Sequence, residues 1–306
     1  MDLTAGDEKK RIWLWSLYDF ANSLAFINVS FYFVLWFVSD LKGSSIWVSI
    51  PVALSTIVLF FTLPALGAFS DKIRRRMPFL IVFSLCAIVS LFLLGFLAVK
   101  TNALSQPVLI GIVILYFLFQ YFYQAALAFY NPFIDDLSVG KTKEFISGIG
   151  MAAGQVGNII GLLLVFPIAQ GKFSFLGLSG RSSTFLVGAI LFLIFSLPVF
   201  IFLKDRSSKT EVGFEKQKLG KSFKETLKDL KNIRQYPGVL SYLISYYLFS
   251  DAILTLQLFA SLYLEKVGGL ADKQKTIAFC FFSERLKTII KSTANHALYK
   301  MFFQMS

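Results

Sequence analysis

The chain has 306 residues and a formal net charge of +12, and 56% of its residues are hydrophobic while only 16% are charged. A mean hydropathy of +0.67 and 35 phenylalanines exclude an ordinary soluble domain, which needs more polar surface to cover its core. We therefore expect an all-α integral membrane protein.

Apolar runs long enough to cross a lipid bilayer recur along the whole chain. A helix of about 20 residues spans the hydrocarbon layer. The runs predict seven spanning helices and one apolar stub. They lie at residues 12–38, 46–69, 79–99, 108–133, 145–169, 185–203 and 239–264, with the stub at 277–282.

The basic residues are distributed as a membrane protein requires, and this argues against a nucleic-acid partner. Lysines and arginines concentrate before the first span, in the second and fourth loops, and above all in the loop at 204–236. Loops rich in basic residues mark the cytoplasmic side. The pattern predicts a cytoplasmic N-terminus and a bilayer as the main partner.

Two aspartates lie inside long apolar stretches, Asp19 in the first span and Asp251 in the seventh. An ionised carboxylate at mid-membrane depth costs at least ~2.5–3.5 kcal/mol, so one found there usually faces a partner, a polar pathway or a proton. We expect both to belong to a substrate or proton pathway. The alternative is a structural carboxylate bonded to a neighbouring helix.

Polar residues follow one face of the first, fourth and seventh spans, by their spacing of three and four positions. The further candidates for the substrate or proton pathway are Asn22, Ser23, Gln120, Gln124, Tyr247 and Thr255. A hydrogen bond between helices is the alternative use of Asn22.

The fifth span carries small residues four positions apart, at Gly150, Gly154, Gly157 and Gly161. Such spacing allows a neighbouring helix backbone to approach closely. The pattern predicts helix packing rather than solute binding.

The chain divides into four segments. Residues 1–203 form a predicted six-helix bundle, 204–236 a basic cytoplasmic loop, 237–282 the start of a second bundle, and 283–306 an atypical tail. The loop contains an amphipathic pattern from Ser222 to Ile233, typical of a helix on an anionic membrane surface or of a linker helix packed on the bundle. The tail is typical of a shifted reading frame or a truncated gene, and a short surface helix is the milder alternative.

Enzyme chemistry is disfavoured, and no cofactor or metal is expected. The single histidine, His296, lies outside the apolar runs, so a histidine-based nucleophile or zinc site cannot form within the membrane. No glycine-rich loop precedes a lysine and a hydroxyl in the order that a P-loop requires. An ATP-driven pump is thus disfavoured relative to a secondary carrier.

The loop after the second span reads Gly-Ala-Phe-Ser-Asp-Lys-Ile-Arg-Arg-Arg from Gly67 to Arg76. It resembles the loop motif of the major facilitator superfamily, which it matches at Gly67, Ser70, Asp71, Lys72, Arg75 and Arg76. Phe69 and Arg74 depart from the pattern. The resemblance implies that these residues form a conformational gate. Topogenic charge is the alternative for the arginines.

Residues 17–23, 129–137, 147–150 and 250–255 further resemble the vacuole-effluxer branch of that superfamily. The resemblance implies twelve spans in two six-helix halves, with helices one, four, seven and ten around a central pathway. This chain would supply a complete first half and one to two helices of the second.

These expectations combine into a secondary active transporter of a small polar solute that works by alternating access. The resemblance suggests amino acids as the solute, efflux as the direction, and a bacterial inner membrane as the location. Protons are the expected coupling ion through Asp19 or Asp251. The alternative is a truncated, non-transporting membrane remnant or a membrane scaffold.

Overall fold

A computed structural model describes residues 5–73, 75–101, 103–137, 142–174, 177–205, 237–271, 273–275 and 277–278. The regular elements in the described ranges are helices, and no β-strand is found among these residues. The helices are α1 (Ala5–Val34), α2 (Ile46–Ile73), α3 (Met77–Lys100), α4 (Gln106–Tyr130), α5 (Phe133–Leu137), α6 (Lys143–Ala169), α7 (Ser183–Phe202) and α8 (Pro237–Lys266). A π-helical turn, Leu35–Asp40, extends α1.

Six of these helical segments are long and apolar enough to cross a membrane, judged on the described residues. They are Asp7–Asp40, Ile46–Pro64, Met77–Lys100, Gln106–Leu137, Lys143–Ala169 and Ser183–Phe202. The predicted all-α membrane bundle is thereby confirmed. Helix α8 covers the seventh predicted span, whose passage through a membrane stays a prediction. The amphipathic pattern at 222–233 and the tail at 283–306 lie outside the described residues.

The chain forms two compact units, Met1–Lys224 and Glu225–Ser306. In the first unit α1 is central and packs along α6 and α7, while α3 packs on α4 and α7, and α2 packs on α4. The second unit is described chiefly by α8, beyond which the buried Lys275 ammonium bonds the carboxylate of Glu265.

Contacts between helices show in which direction α6 and α4 run relative to α1. Trp15 and Leu24 of α1 meet Gly150 and Gly161 of α6 in the same order, so these two helices run parallel. Helix α4 runs antiparallel to α1, since Asn22 bonds Tyr123 while Phe33 stacks on Tyr116. Aromatic side chains fill the interior between them.

Candidate functional site

Asp19 lies where α1 meets α6. Its carboxylate is half-buried, and a β-carbon placed on Gly154 would lie 3.2 Å from its Oδ2 atom and 2.9 Å from Oγ of Ser23. The absence of a side chain at Gly154 is therefore what leaves room for the carboxylate and the hydroxyl. Ser23 follows Asp19 by one helical turn, so the two form one polar strip facing α6.

Close approach of the two helices continues past this strip. A β-carbon on Gly157 would lie 2.3 Å from the carbonyl oxygen of Phe20, and one on Gly161 would lie 2.8 Å from that of Leu24. At Gly150 the obstacle is the Trp15 ring, at 2.5 Å. All four glycines thus lie on the face of α6 that α1 covers.

The polar side chains of α4 are engaged in hydrogen bonds between and within helices. The amide of Asn22 donates to Tyr123 Oη at 3.3 Å, and the buried amide of Gln120 donates to Tyr116 Oη at 2.8 Å. The Gln124 amide donates to Oγ of Ser55 on α2 at 3.2 Å. Gln120 and Gln124 therefore have different partners, one within α4 and one on α2.

A buried aromatic cluster, formed by Trp15, Tyr18 and Tyr130, lies on the side of Asp19 toward the start of α1. The rings of Trp15 and Tyr130 stack with centroids 4.9 Å apart. Tyr130 Oη donates to the Trp15 carbonyl at 2.9 Å, and Trp15 Nε1 donates to the Tyr130 carbonyl at 3.4 Å. Tyr18 shares a hydrogen bond of 2.6 Å with Ser84 of α3. The sequence pattern did not single out Trp15 or Tyr18, because their partners lie on distant helices.

Within the described parts of the six candidate spans, Asp19 is the one acidic or basic side chain far from a span end. The described residues also contain no group of three or more histidine, cysteine, aspartate or glutamate side chains that could hold a metal ion. The chemistry available at the site is that of the Asp19 carboxylate with the Ser23 hydroxyl beside it.

The residues of the predicted gate motif lie at the junction of α2 and α3. Asp71 and Lys72 belong to the last turn of α2. Ser70 is buried and its hydroxyl donates to the Arg75 carbonyl at 3.4 Å. Gly67 lies in α2, and a β-carbon there would meet nothing described within 4 Å. The two arginines differ, because the Arg75 side chain is exposed whereas that of Arg76 is partly buried.

Arg76 connects the end of α4 to the start of α3. Its Nη1 donates to the Pro132 carbonyl at 3.0 Å and lies 3.9 Å from a carboxylate oxygen of Asp136. Its backbone N–H donates to Asp205, a residue that the sequence pattern did not single out.

The remaining candidates, Tyr247, Asp251 and Thr255, belong to α8 in the second unit. Their spacing of four residues places the three positions on one face of that helix.

Asn28 is a further buried polar residue, which the structure reveals and the sequence did not indicate. It is fully buried on α1, and neither polar atom of its amide has a hydrogen-bond partner among the described residues.

Comparison with known proteins identifies related sequences. The family profile described as "Vacuole effluxer Atg22 like" matches residues 32–282. The loop motif at 67–76 and the α8 candidates fall within that range, and Asp19 lies before it. An uncharacterized MFS-type transporter of Bacillus subtilis (strain 168), YxiO, is 24% identical over 266 residues, which cover 83% of this chain. The chain spans 60% of that relative's length. No solved structure shows a significant match.

Proposed function

The chain belongs to the Atg22-like vacuole effluxer family, a branch of the major facilitator superfamily, and from this premise we propose that it is a secondary active transporter of a small polar solute. The observation that carries the proposal is the placement of Asp19. It is a half-buried carboxylate deep in a spanning helix, set against a glycine-lined face and next to a hydroxyl. Such residues mark solute and proton pathways in membrane proteins.

The solute pathway in the first unit consists of Asp19, Ser23 and the amides on α4. Asn22, Gln120 and Gln124 supply donors and acceptors for a polar solute, and their present partners are other side chains that a solute can replace. Tyr247, Asp251 and Thr255 are the proposed counterparts in the second unit. The family description, an effluxer, supports outward movement, with amino acids as the first solutes to test.

Proton coupling follows from the cost of a charge at membrane depth. An ionised Asp19 is unfavourable in an apolar surrounding, whereas a protonated one is neutral and can lie against α6. Binding and release of the proton would then favour different arrangements of the two halves, which is the requirement for coupled alternating access. We place the protein in a bacterial inner membrane with a cytoplasmic N-terminus.

The test is transport by the purified full chain in proteoliposomes with an imposed pH gradient. A panel of radiolabelled amino acids serves as the probe, and a trapped pH dye reports proton movement. We expect Asp19→Asn to abolish the part of transport that depends on the gradient. The control is Asp135→Asn, which changes an exposed carboxylate paired with Lys143 at 2.6 Å and should retain transport.

Two results would overturn parts of the proposal. If Asp19→Asn transports as the parent does, with the same dependence on the pH gradient, Asp19 is not the coupling residue. If the parent moves no amino acid in either direction, amino acids are not the solute.

A further inference from the structure

Helix α3 begins without a cap of its own. Its N-cap residue, Arg76, makes no side-chain capping bond, and Pro78 in the first turn has no N–H group. The backbone N–H groups of the first turn need partners from outside the helix. Two of these groups, the N–H groups of Arg76 and Met77, have a non-local acceptor here.

Asp205 supplies that acceptor from a distant part of the chain. Its Oδ1 accepts the Arg76 N–H at 3.0 Å and the Met77 N–H at 3.1 Å, and its Oδ2 lies 3.2 Å from the same Met77 nitrogen. The carboxylate thus lies at the positive end of the α3 dipole, where a negative charge is favoured. Asp205 follows α7 by three residues, so this cap joins the end of α7 to the start of α3.

Further contacts at the same end of the bundle extend from this cap. The Arg76 guanidinium reaches the Pro132 carbonyl after α4 and the carboxylate of Asp136 in α5. Arg11 of α1 donates to the carbonyl of Lys204, next to Asp205, at 3.3 Å. The ends of α1, α3, α4 and α7 are therefore linked through Arg76, Lys204 and Asp205.

We propose that Asp205 is a clamp that caps α3, positions Arg76, and holds the junction of α2 and α3 in the arrangement seen here. Arg76 of the loop motif is then positioned by Asp205, which lies outside the motif. The junction is secured from both sides, because Ser70 on α2 also bonds the Arg75 carbonyl. This inference goes beyond the proposed transport function and can be tested without a solute.

The first test is hydrogen–deuterium exchange of the full chain in detergent micelles, read at the amides of Arg76 and Met77. Asp205→Ala should make these two amides exchange roughly tenfold faster or more. Asp205→Asn keeps an acceptor without the charge, so it should give an intermediate rate. Asp135→Asn changes another carboxylate at the same end of the bundle and should leave the rates as in the parent. Parent-like exchange in Asp205→Ala would overturn the cap.

The second test asks whether losing the Asp205 carboxylate loosens the junction of α2 and α3. It measures how fast a cysteine at position 70 reacts with a maleimide. Ser70 is 2% exposed, so a thiol introduced by Ser70→Cys, with Cys86 and Cys280 replaced by serine, should react slowly with a maleimide. Adding Asp205→Ala should raise its labelling rate by about tenfold, and adding Asp205→Asn instead should give an intermediate rate. If Asp205→Ala speeds exchange at Arg76 and Met77 but leaves the labelling rate at position 70 unchanged, the clamp is overturned. Asp205 would then be only a local cap of α3.

A variant that fails to fold is recognised by fast amide exchange in the interior of α7. The clamp should not affect exchange in that part of the helix. Asp205→Asn is the variant on which the decision then rests, since it alters one charge without removing the hydrogen-bonding group. Parent-like rates in that variant at both sites, together with a misfolded Asp205→Ala, would overturn the role of the charge in the clamp.

Discussion

Two asparagines of α1 lie within two turns of each other and have opposite environments. The Asn22 amide donates to Tyr123, whereas the Asn28 amide is buried with no hydrogen-bond partner among the described residues. A buried amide without partners loses its hydrogen bonds to water and gains none in return. Asn28 is thus a cost to stability in this conformation, and Asn22 is a contributor to it.

This contrast predicts opposite effects of the same substitution. Asn28→Leu has nearly the same volume and removes the unpartnered amide, so it should stabilise the protein by roughly 1–3 kcal/mol. Asn22→Leu leaves the Tyr123 hydroxyl without its donor and should destabilise by about 0.5–1.5 kcal/mol. Apparent unfolding temperatures in detergent, followed by tryptophan fluorescence, measure both.

A lower unfolding temperature for Asn28→Leu would contradict this prediction. It would indicate that the amide holds an ordered water, which buried polar groups commonly do. Asn28 would then contribute to stability through that water, and the role of the Asn22 bond would be unaffected.

The contact between α1 and α6 depends on glycines along one face of α6. Each glycine within a helix costs roughly 0.5–1 kcal/mol relative to alanine, so four on one face need a compensating gain. That gain is close packing, since a β-carbon at Gly157 or Gly161 would collide with backbone oxygens of α1. The same face also leaves room for the carboxylate of Asp19. The glycines that allow these two helices to pack closely therefore also shape the candidate site.

Alanine substitutions on α6 distinguish the packed face from the rest of the helix. Gly157→Ala places a methyl group 2.3 Å from the Phe20 carbonyl oxygen, and we expect a loss of about 1–3 kcal/mol from the forced separation. Gly148→Ala, on the same helix with nothing within 4 Å, should leave the unfolding temperature unchanged or slightly higher. Equal effects of the two variants would contradict a packed glycine face.

At the scale of the whole molecule, the sequence predicts the helices well and the long-range contacts poorly. Apolar runs locate the spans because burial in lipid acts on each segment separately. The pairing of Asp205 with the start of α3, or of Trp15 with Tyr130, joins positions 129 and 115 residues apart. Such contacts arise only when the helices pack, and no local spacing indicates them.

The loop motif at 67–76 shows the same limit within a segment that the sequence did single out. Arg76 was identified because the loop resembles a family motif. That resemblance did not indicate its partners, the Pro132 carbonyl and Asp136, which lie beyond α4. The polar faces of α1 and α4 were likewise predicted from helical periodicity. The tyrosines that receive their hydrogen bonds were not assigned that role, because phenols at such positions are equally compatible with packing.

The directions of the helices predict the orientation of the first unit in the membrane. Arg11, Arg76 and Lys204 lie at one end of the bundle, and the ion pair between Arg181 and Asp40, at 2.8 Å, lies at the other. The end with more basic residues should face the cytoplasm.

Single cysteines in a background without Cys86 and Cys280 test this orientation in intact cells. Ser44 and Phe173 are exposed at the end that carries Asp40, so Ser44→Cys and Phe173→Cys should react with an impermeant maleimide added outside. Thr142, exposed at the N-cap of α6, lies at the opposite end, so Thr142→Cys should react only after permeabilisation. Outside labelling of Thr142→Cys together with protection of Ser44→Cys would invert the topology, and the basic loop at 204–236 would then not be cytoplasmic.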